Sequence, residues 1–335
     1  MLKRSLAVVF AVVLLFLSGC SNVKLTTGLT RKQFAKIDGT TVSMDMAKLV
    51  LGEYKYSYEQ LFDDQVWQKN FNDMTTEEYI KNKVKDNVEN IILAHNLATS
   101  LNIELTNDER ARIKMASDEY METLKDSDVS VDAVREFYQR LLVAEKGFYG
   151  ITDSVDTRVS TDEARVISVQ YIFFSTMCYD EEHNVVSISE IEKQTKKNLA
   201  NRVHNKLQED VDFLALAKEY SDDVRNFTQF GRGEYVKEFE EAAFNMDSGD
   251  ISDVIETEYG YYIIKCINYN IESNFEEQCE KVVLARRRDI YTGQYTEYAS
   301  NRTVQYNSKF WEDIDMKELS KGSGRLYEIY NKYFY

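Results

Sequence analysis

The 335-residue chain contains no proline, and this absence restricts its fold more than any other single feature. A chain of this length carries roughly 17 prolines at the usual frequency of ~5%. Polyproline spacers and collagen-like repeats are therefore excluded, and no helix can be kinked by an internal proline. Glycine is also scarce, with 13 residues. A chain with so few backbone breakers favours long helices.

The composition argues against disorder and against nucleic-acid binding. Hydrophobic residues make up 43% of the chain and aromatic residues 13%, so the chain can build a core. It carries 41 basic and 57 acidic residues, which gives a formal net charge of −16. Because a protein that follows a phosphate backbone needs a basic surface, no nucleic-acid partner is expected. The length predicts about two domains.

The N-terminus has the order of a lipoprotein signal peptide. Basic residues at positions 3 and 4 precede the apolar run 6–17, which is too short to cross a bilayer. The sequence Leu-Ser-Gly-Cys at 17–20 then resembles the lipobox of bacterial lipoproteins. This resemblance implies acyl chains on Cys20 and anchoring at the extracytoplasmic face of the cell membrane. The alternative is an ordinary secretory signal with an incidental cysteine.

The other cysteines and the histidines show no metal-binding or redox pattern. Cys178, Cys266 and Cys279 match neither a CxxC pair nor the spacing of zinc ligands. The chain has only three histidines, and His95 continues the apolar stripe of a predicted helix. We therefore expect free, partly buried thiols, no metal and no cofactor.

The first half of the chain has mostly helical patterns. Residues 20–31 are polar and without a pattern, which predicts a tether. The Asp-Gly pair at 38–39 stands between β-forming segments and predicts a tight hairpin. Capping boxes at 75–78 and 106–109 each open a segment with apolar residues at helical spacing. A third helix is predicted over 131–149.

The pattern changes between about residues 165 and 270. Residues 166–174 are β-branched and aromatic, which predicts a strand. Helices and short strands follow, the helices at 189–207, 213–216 and 239–244 and the strands near 254–255 and 262–265. A long amphipathic helix, 276–298, then leads to a C-terminal tail. This order predicts a compact α+β unit inserted between helical regions.

Four blocks of this unit resemble the parvulin-type peptidyl-prolyl isomerases. The blocks are 213–223, 239–244, 248–252 and 257–265, in the order and spacing of that family. With the lipobox and the helical flanks, they make the chain similar to the PrsA-type foldase lipoproteins and, more distantly, to the SurA-like chaperones. The resemblance implies an α+β fold with a helical chaperone-like domain formed from both chain ends. The inserted parvulin-like domain is a small antiparallel sheet flanked by helices.

The resemblance also implies domain limits and partners. The predicted segments are a signal peptide 1–19, a tether 20–31, a helical N-terminal chaperone domain 32–160, a parvulin-like isomerase domain 165–270, and a C-terminal helix and tail 274–335 that packs back on the N-terminal domain. The implied partners are unfolded or partly folded secreted proteins that contain X-Pro bonds, and the membrane through the acyl chains on Cys20. A homodimer is left open.

Three residues are predicted to be catalytic. Tyr171 and Tyr262 stand where the family usually carries two facing histidines, and Asp223 retains the loop acid or cysteine of the family. The glycine-rich loop of the family is replaced by residues 225–229, which contain no glycine. The residues predicted to bind substrate are Tyr235, Phe239 and Thr257.

The chemistry implied for this site breaks no bond in the substrate. The barrier to X-Pro isomerisation, ~18–20 kcal/mol, arises from amide resonance. A catalyst therefore needs a dry pocket for proline and groups that stabilise the twisted amide. Tyrosine hydroxyls can form a hydrogen-bonded pair where the histidines would stand, so a foldase with isomerase activity is the leading hypothesis. A non-catalytic holdase with a degenerate parvulin domain is the alternative, and a solute-binding lipoprotein is disfavoured because the strands are too few.

Overall fold

The computed structural model describes residues 22–26, 28–71, 74–124, 127, 129–179, 185–209, 211–271, 275–309 and 314–335. The predicted signal peptide 1–19 and Cys20 lie outside this range. The chain forms two compact units. Unit 1 takes its described residues from Met1–Val155 and Arg287–Tyr335, and unit 2 is Asp156–Arg286. No helix within the described residues is both long enough and apolar enough to cross a membrane.

The described residues form the following helices and strands. The helices are α1 (Met44–Phe62), α2 (Thr76–Ser100), α3 (Asn107–Thr123), α4 (Val131–Ile151), α5 (Glu190–Leu207), α6 (Phe213–Tyr220), α7 (Lys237–Phe244), α8 (Phe275–Ser300) and α9 (Leu326–Phe334). The strands are β1 (Asn22–Thr26), β2 (Gln33–Ile37), β3 (Thr40–Ser43), β4 (Asn70–Phe71), β5 (Met74–Thr75), β6 (Ile167–Ser175), β7 (Met177–Tyr179), β8 (Val185–Ser187), β9 (Phe227–Phe230), β10 (Ile255–Thr257), β11 (Gly260–Asn268) and β12 (Thr303–Asn307).

The long helices of unit 1 begin at the predicted caps. Both capping boxes are present: the Thr75 hydroxyl accepts the N–H of Glu78, and Thr106 accepts that of Glu109. The apolar stripe of α2 is fully buried, and α2 packs against α1 and α4. Local capping chemistry and apolar periodicity therefore position these helices, as the sequence predicts.

The sheet of unit 1 has the strand order β1-β12-β2-β3. The predicted hairpin joins β2 to β3, and Asp38 and Gly39 both adopt positive φ angles, 46° and 82°. Strand β1 lies inside the segment predicted to be a tether and instead pairs in parallel with β12. Its sequence alternates polar and apolar residues, a pattern of period two that suits a strand.

The C-terminal part of unit 1 contains elements that the sequence analysis describes only as a tail. Strand β12 joins the sheet, and α9 buries Leu326, Ile329 and Tyr330. The Tyr330 hydroxyl donates to Glu145 of α4 over 2.7 Å. Both apolar packing and this hydrogen bond therefore hold α9 in place.

Unit 2 contains an antiparallel sheet in the order β10-β11-β6-β9. Alternate residues of β6 point to opposite faces. Ile172 and Phe174 join a core with α5 and α6, whereas Ile167, Val169 and Tyr171 join a second core with α7. Helices thus flank a small antiparallel sheet, in agreement with the predicted α+β fold class. Strand β9 falls where the sequence analysis expects only a loop.

Candidate active site

The two tyrosines predicted to be catalytic lie on neighbouring strands and on one face of the sheet. Tyr171 of β6 pairs with Ile264, and Tyr262 of β11 pairs with Phe173, so the two tyrosines are diagonal neighbours. Their ring centroids are 6.1 Å apart, with an angle of 62° between the ring planes. The strand register therefore brings together residues that are 91 positions apart in the sequence.

Phe239 and Tyr235 complete an aromatic recess on this face. The Phe239 ring is 1% exposed and lies 5.1 Å from Tyr262, 6.3 Å from Tyr171 and 5.0 Å from Tyr235. The Tyr235 ring stacks on Phe239, is 39% exposed, and its hydroxyl donates to the Thr228 hydroxyl over 2.9 Å. Phe239 is therefore buried among the neighbouring rings, and Tyr235 is exposed beside it.

Asp223 borders the recess as an ionised hydrogen-bond acceptor. Its carboxylate accepts the Tyr171 hydroxyl over 2.7 Å and the backbone N–H of Arg225 over 2.9 Å. Burial raises the pKa of Asp223, but the hydrogen bonds from Arg225 and Tyr171 outweigh it, so that the pKa lies below its ordinary value. The Arg225 guanidinium, 3.4 Å from the carboxylate, acts in the same direction.

The loop that carries Asp223 is attached to the strand that carries Tyr171. The Ser221 hydroxyl accepts the N–H of Phe173 over 3.1 Å, and the N–H of Asp222 donates to the carbonyl of Phe173 over 2.8 Å. These two contacts to Phe173 hold the loop of Asp223 beside the strand of Tyr171.

Both tyrosine hydroxyls keep their protons at neutral pH. Burial, followed by the hydrogen bond and charge of Asp223, raises the pKa of Tyr171 far above its ordinary value. Burial, followed by the charge of Asp223, raises the pKa of Tyr262 to about 12. The Tyr171 proton is held by Asp223, and Tyr262 brings a second neutral hydroxyl to the face that carries the recess.

Thr257 lies at the end of β10, next to the turn into β11. Its hydroxyl donates to the carbonyl of Gly260 over 2.9 Å and accepts the N–H of Tyr259 over 3.3 Å. These bonds shape the turn that precedes Tyr262. A substrate-binding role for Thr257 stays a prediction.

Sequence reasoning missed two aromatic neighbours of the site. Phe173 stacks on Tyr262 with ring centroids 4.4 Å apart, and Phe230 lies 4.6 Å from Tyr235. Phe173 follows Tyr171 by two positions, so the period of a strand could have placed it on the same face. Phe230 belongs to β9, whose short sequence carries a weaker signal.

The described residues contain no cluster of metal-ligand side chains. Among the residues that the structure describes, no group of three His, Cys, Asp or Glu side chains is arranged to hold an ion. The polar groups of the site are the hydroxyls of Tyr171, Tyr235 and Tyr262 and the carboxylate of Asp223.

An antiparallel sheet with a ring-lined recess beside a carboxylate is the arrangement expected of a parvulin-type peptidyl-prolyl isomerase. Residues 180–268 match the Rotamase family, described as a PPIC-type PPIase domain. This match includes Asp223 and Tyr262, whereas Tyr171 precedes it. It confirms the type of domain predicted from the four sequence blocks.

Over longer stretches, the chain is similar to PrsA foldases. It is 26% identical to the foldase protein PrsA of Geobacillus kaustophilus (strain HTA426), over 63% of this chain and 79% of that protein. It is 25% identical to the foldase protein PrsA of Caldanaerobacter subterraneus subsp. tengcongensis over 94% of this chain and 99% of that protein. The crystal structure of a Bacillus cereus peptidylprolyl isomerase, PrsA, covers 93% of this chain and is itself covered to 99%, with 18% identity and a TM-score of 0.40. The predicted resemblance to foldases with a peptidyl-prolyl isomerase domain is confirmed.

Proposed function

We propose that this chain is an extracytoplasmic foldase, anchored to the membrane by acyl chains on Cys20. It binds unfolded secreted polypeptides and catalyses cis/trans isomerisation of their X-Pro bonds. The observation that supports catalysis is the aromatic recess of Phe239 and Tyr235, bordered by the Tyr171–Asp223 hydrogen bond. The support for the anchor is the lipobox sequence ending at Cys20.

The recess suits a proline ring. Its aromatic faces and edges form an apolar surface, so a pyrrolidine ring that packs against them loses water. Holding that ring while the rest of the polypeptide rotates twists the X-Pro amide. Catalysis then depends on interactions that the site forms with the twisted amide and does not form with the planar amide.

The tyrosines supply that difference. When amide resonance is lost, the prolyl nitrogen regains a lone pair that can accept a hydrogen bond. A neutral Tyr262 hydroxyl donates to it, and this bond exists only in the twisted state. Asp223 keeps the Tyr171 hydroxyl engaged and holds the Tyr171 ring in place as a wall of the recess. No step requires a covalent intermediate or a general base.

Isomerase activity of the full-length protein in mild detergent tests this proposal. The assay is the refolding of a substrate protein whose rate is limited by one X-Pro bond. We expect clear acceleration by the wild type and a loss of about tenfold in kcat/KM for Tyr262→Phe, which removes one hydrogen bond and keeps the ring. Tyr269→Phe, at an exposed position, is the matched control and should leave the rate unchanged. A wild-type rate equal to the uncatalysed rate would exclude catalysis.

A non-catalytic holdase is the second candidate function. It is favoured by the tyrosines at both positions where the family carries histidine. A holdase of this kind suppresses the aggregation of unfolded clients equally well in the wild type and in Tyr235→Ala, a variant that opens the rim of the recess. Suppression that weakens in parallel with isomerase activity would contradict the holdase and support the foldase.

A further inference from the structure

The first strand of unit 1 begins very close to the proposed lipid anchor. Asn22, the first residue of β1, follows Cys20 by two positions. Two residues span at most about 7 Å even when fully extended. Because Asn22 pairs with Thr303 in the register of β1 and β12, the sheet of unit 1 begins within this distance of the anchor.

Several exposed groups share this end of the sheet. Thr303 is exposed at the start of β12, and its carbonyl accepts the N–H of Asp38 over 3.0 Å. Asp38 belongs to the β2–β3 turn, whose tip, Gly39, is exposed as well. The start of β1, the start of β12 and the β2–β3 turn therefore lie together.

The acidic residue at this end is compensated. The Asp38 carboxylate accepts the Tyr298 hydroxyl over 2.7 Å and lies 3.5 Å from the Arg302 guanidinium, which also stacks over the Tyr298 ring. The protein as a whole carries a net charge of −16, and an anionic bilayer surface repels uncompensated acids. This end is thus a part of unit 1 that can approach lipid headgroups without bringing an unpaired acid with it.

We propose that the end of the unit 1 sheet formed by Asn22, the 38–39 turn and Thr303 rests against the headgroups of the bilayer. The proposal depends on the proposed acylation of Cys20. The short connection then holds unit 1 in a defined orientation, and the opposite end of β12 faces away from the membrane.

Headgroup quenching on the full-length protein tests this orientation. A bimane fluorophore is attached at Thr303→Cys or, as the distal control, at Lys309→Cys, roughly 20 Å further along the direction of β12. The other reactive thiols are removed by Cys178→Ser and Cys279→Ser. The protein is reconstituted into phosphatidylethanolamine–phosphatidylglycerol vesicles that contain a lipid spin-labelled at its headgroup. We expect quenching at position 303 and none above background at position 309.

Two further measurements separate the outcomes. Mass spectrometry of the reconstituted protein reports the acyl mass on Cys20, so a failure of acylation is detected directly. Such a failure would overturn the proposed anchor and, with it, this orientation. Equal quenching at 303 and 309 in an acylated protein would overturn the orientation and leave the proposed foldase intact. Inserting ten Gly-Ser residues between Ser21 and Asn22 adds roughly 17 Å of flexible reach and should abolish quenching at 303. Quenching that persists after this insertion would overturn the short connection as its cause.

Discussion

The hydroxyl of Tyr171 and the carboxylate of Asp223 form the best-defined polar contact at the candidate site. Two donors, the Tyr171 hydroxyl and the backbone N–H of Arg225, bind an acid whose pKa they depress in spite of its partial burial. Protonation would turn one Asp223 oxygen into a donor, remove the negative charge and weaken the hydrogen bond from Tyr171. The state of Asp223 therefore connects pH to the shape of the recess.

The first prediction concerns the pH dependence of isomerisation. Because the folded-state pKa of Asp223 is depressed, its ionised form persists below the ordinary aspartate value of about 3.9. We expect isomerase activity to be constant from pH 8 to about pH 5. It should fall only as the pH drops below the ordinary aspartate pKa of about 3.9. NMR exchange measurements on an X-Pro peptide give the profile without a coupling protease.

The matched variant for that profile is Asp223→Asn. It should be less active at neutral pH and should lose the acid limb, since it cannot titrate. An acid limb centred near pH 6 in the wild type would contradict the assignment of the profile to Asp223.

At the level of elements, the contact between β6 and β11 depends on one glycine. Gly260 has a φ of +147°, and a side chain at this position would clash with the carbonyl oxygen of Phe174. An alanine at this position must therefore push the two central strands apart, and these are the strands that carry Tyr171 and Tyr262.

The second prediction is that Gly260→Ala destabilises unit 2 by more than about 3 kcal/mol. Gly233→Ala is the matched control, because Gly233 also has a positive φ, +84°, but has open space around its Cβ position. The control should cost about 1–2 kcal/mol from backbone strain alone. Urea unfolding of the full-length protein measures both free energies, and equal losses would show that the close approach does not matter.

Within unit 1, helix α9 is bonded to α4 through a buried acid, Glu145. Glu145 is 2% exposed and accepts the Tyr330 hydroxyl, and its other oxygen, Oε1, has no partner among the described residues. Burial raises the pKa of Glu145 from 4.5 to about 7, although the hydrogen bond from Tyr330 opposes the shift.

The third prediction follows from the sign of that shift. Since the folded-state pKa is raised, ionisation is disfavoured in the folded protein, and stability falls as pH rises from about 4.5 to about 7. Glu145→Gln retains an acceptor for Tyr330 and cannot ionise. We expect it to stabilise the protein by about 3 kcal/mol at pH 8 and to have no effect at pH 4.

Thermal unfolding as a function of pH measures this difference. Glu122→Gln, at an exposed position of α3, is the control and should not change the pH dependence. A gain from Glu145→Gln that is the same at pH 4 and pH 8 would show that ionisation is not its source.

For the whole molecule, the absence of proline has a kinetic consequence. A chain with no X-Pro bond cannot accumulate slow isomers of that bond while it is unfolded. The fourth prediction is that refolding shows no phase of about 10–100 s whose amplitude grows with the time spent unfolded. Double-jump refolding with a variable delay tests this, and a phase that grows with the delay would contradict it.

Much of the fold was predictable because its signals are local. A capping box brings together a side chain and an N–H three residues away, and the Asp38-Gly39 turn needs only its own backbone angles. The central strand β6 follows from its run of β-branched and aromatic residues. The long-range pairings were not predictable, because the parallel contact of β1 with β12 joins the two ends of the chain, and β9 is too short to carry a clear period.

The sequence by itself determined which residues could form the site, through the chemistry of their side chains and the four blocks that resemble the parvulins. It also determined the helical character of the chain, because proline is absent and glycine is scarce. Only the tertiary structure decided that Tyr171 and Tyr262 share a face, that Asp223 holds the Tyr171 proton, and that Phe239 closes the recess. The physical reason is that strand register and helix docking minimise the free energy of the whole core at once, and no short segment contains that information.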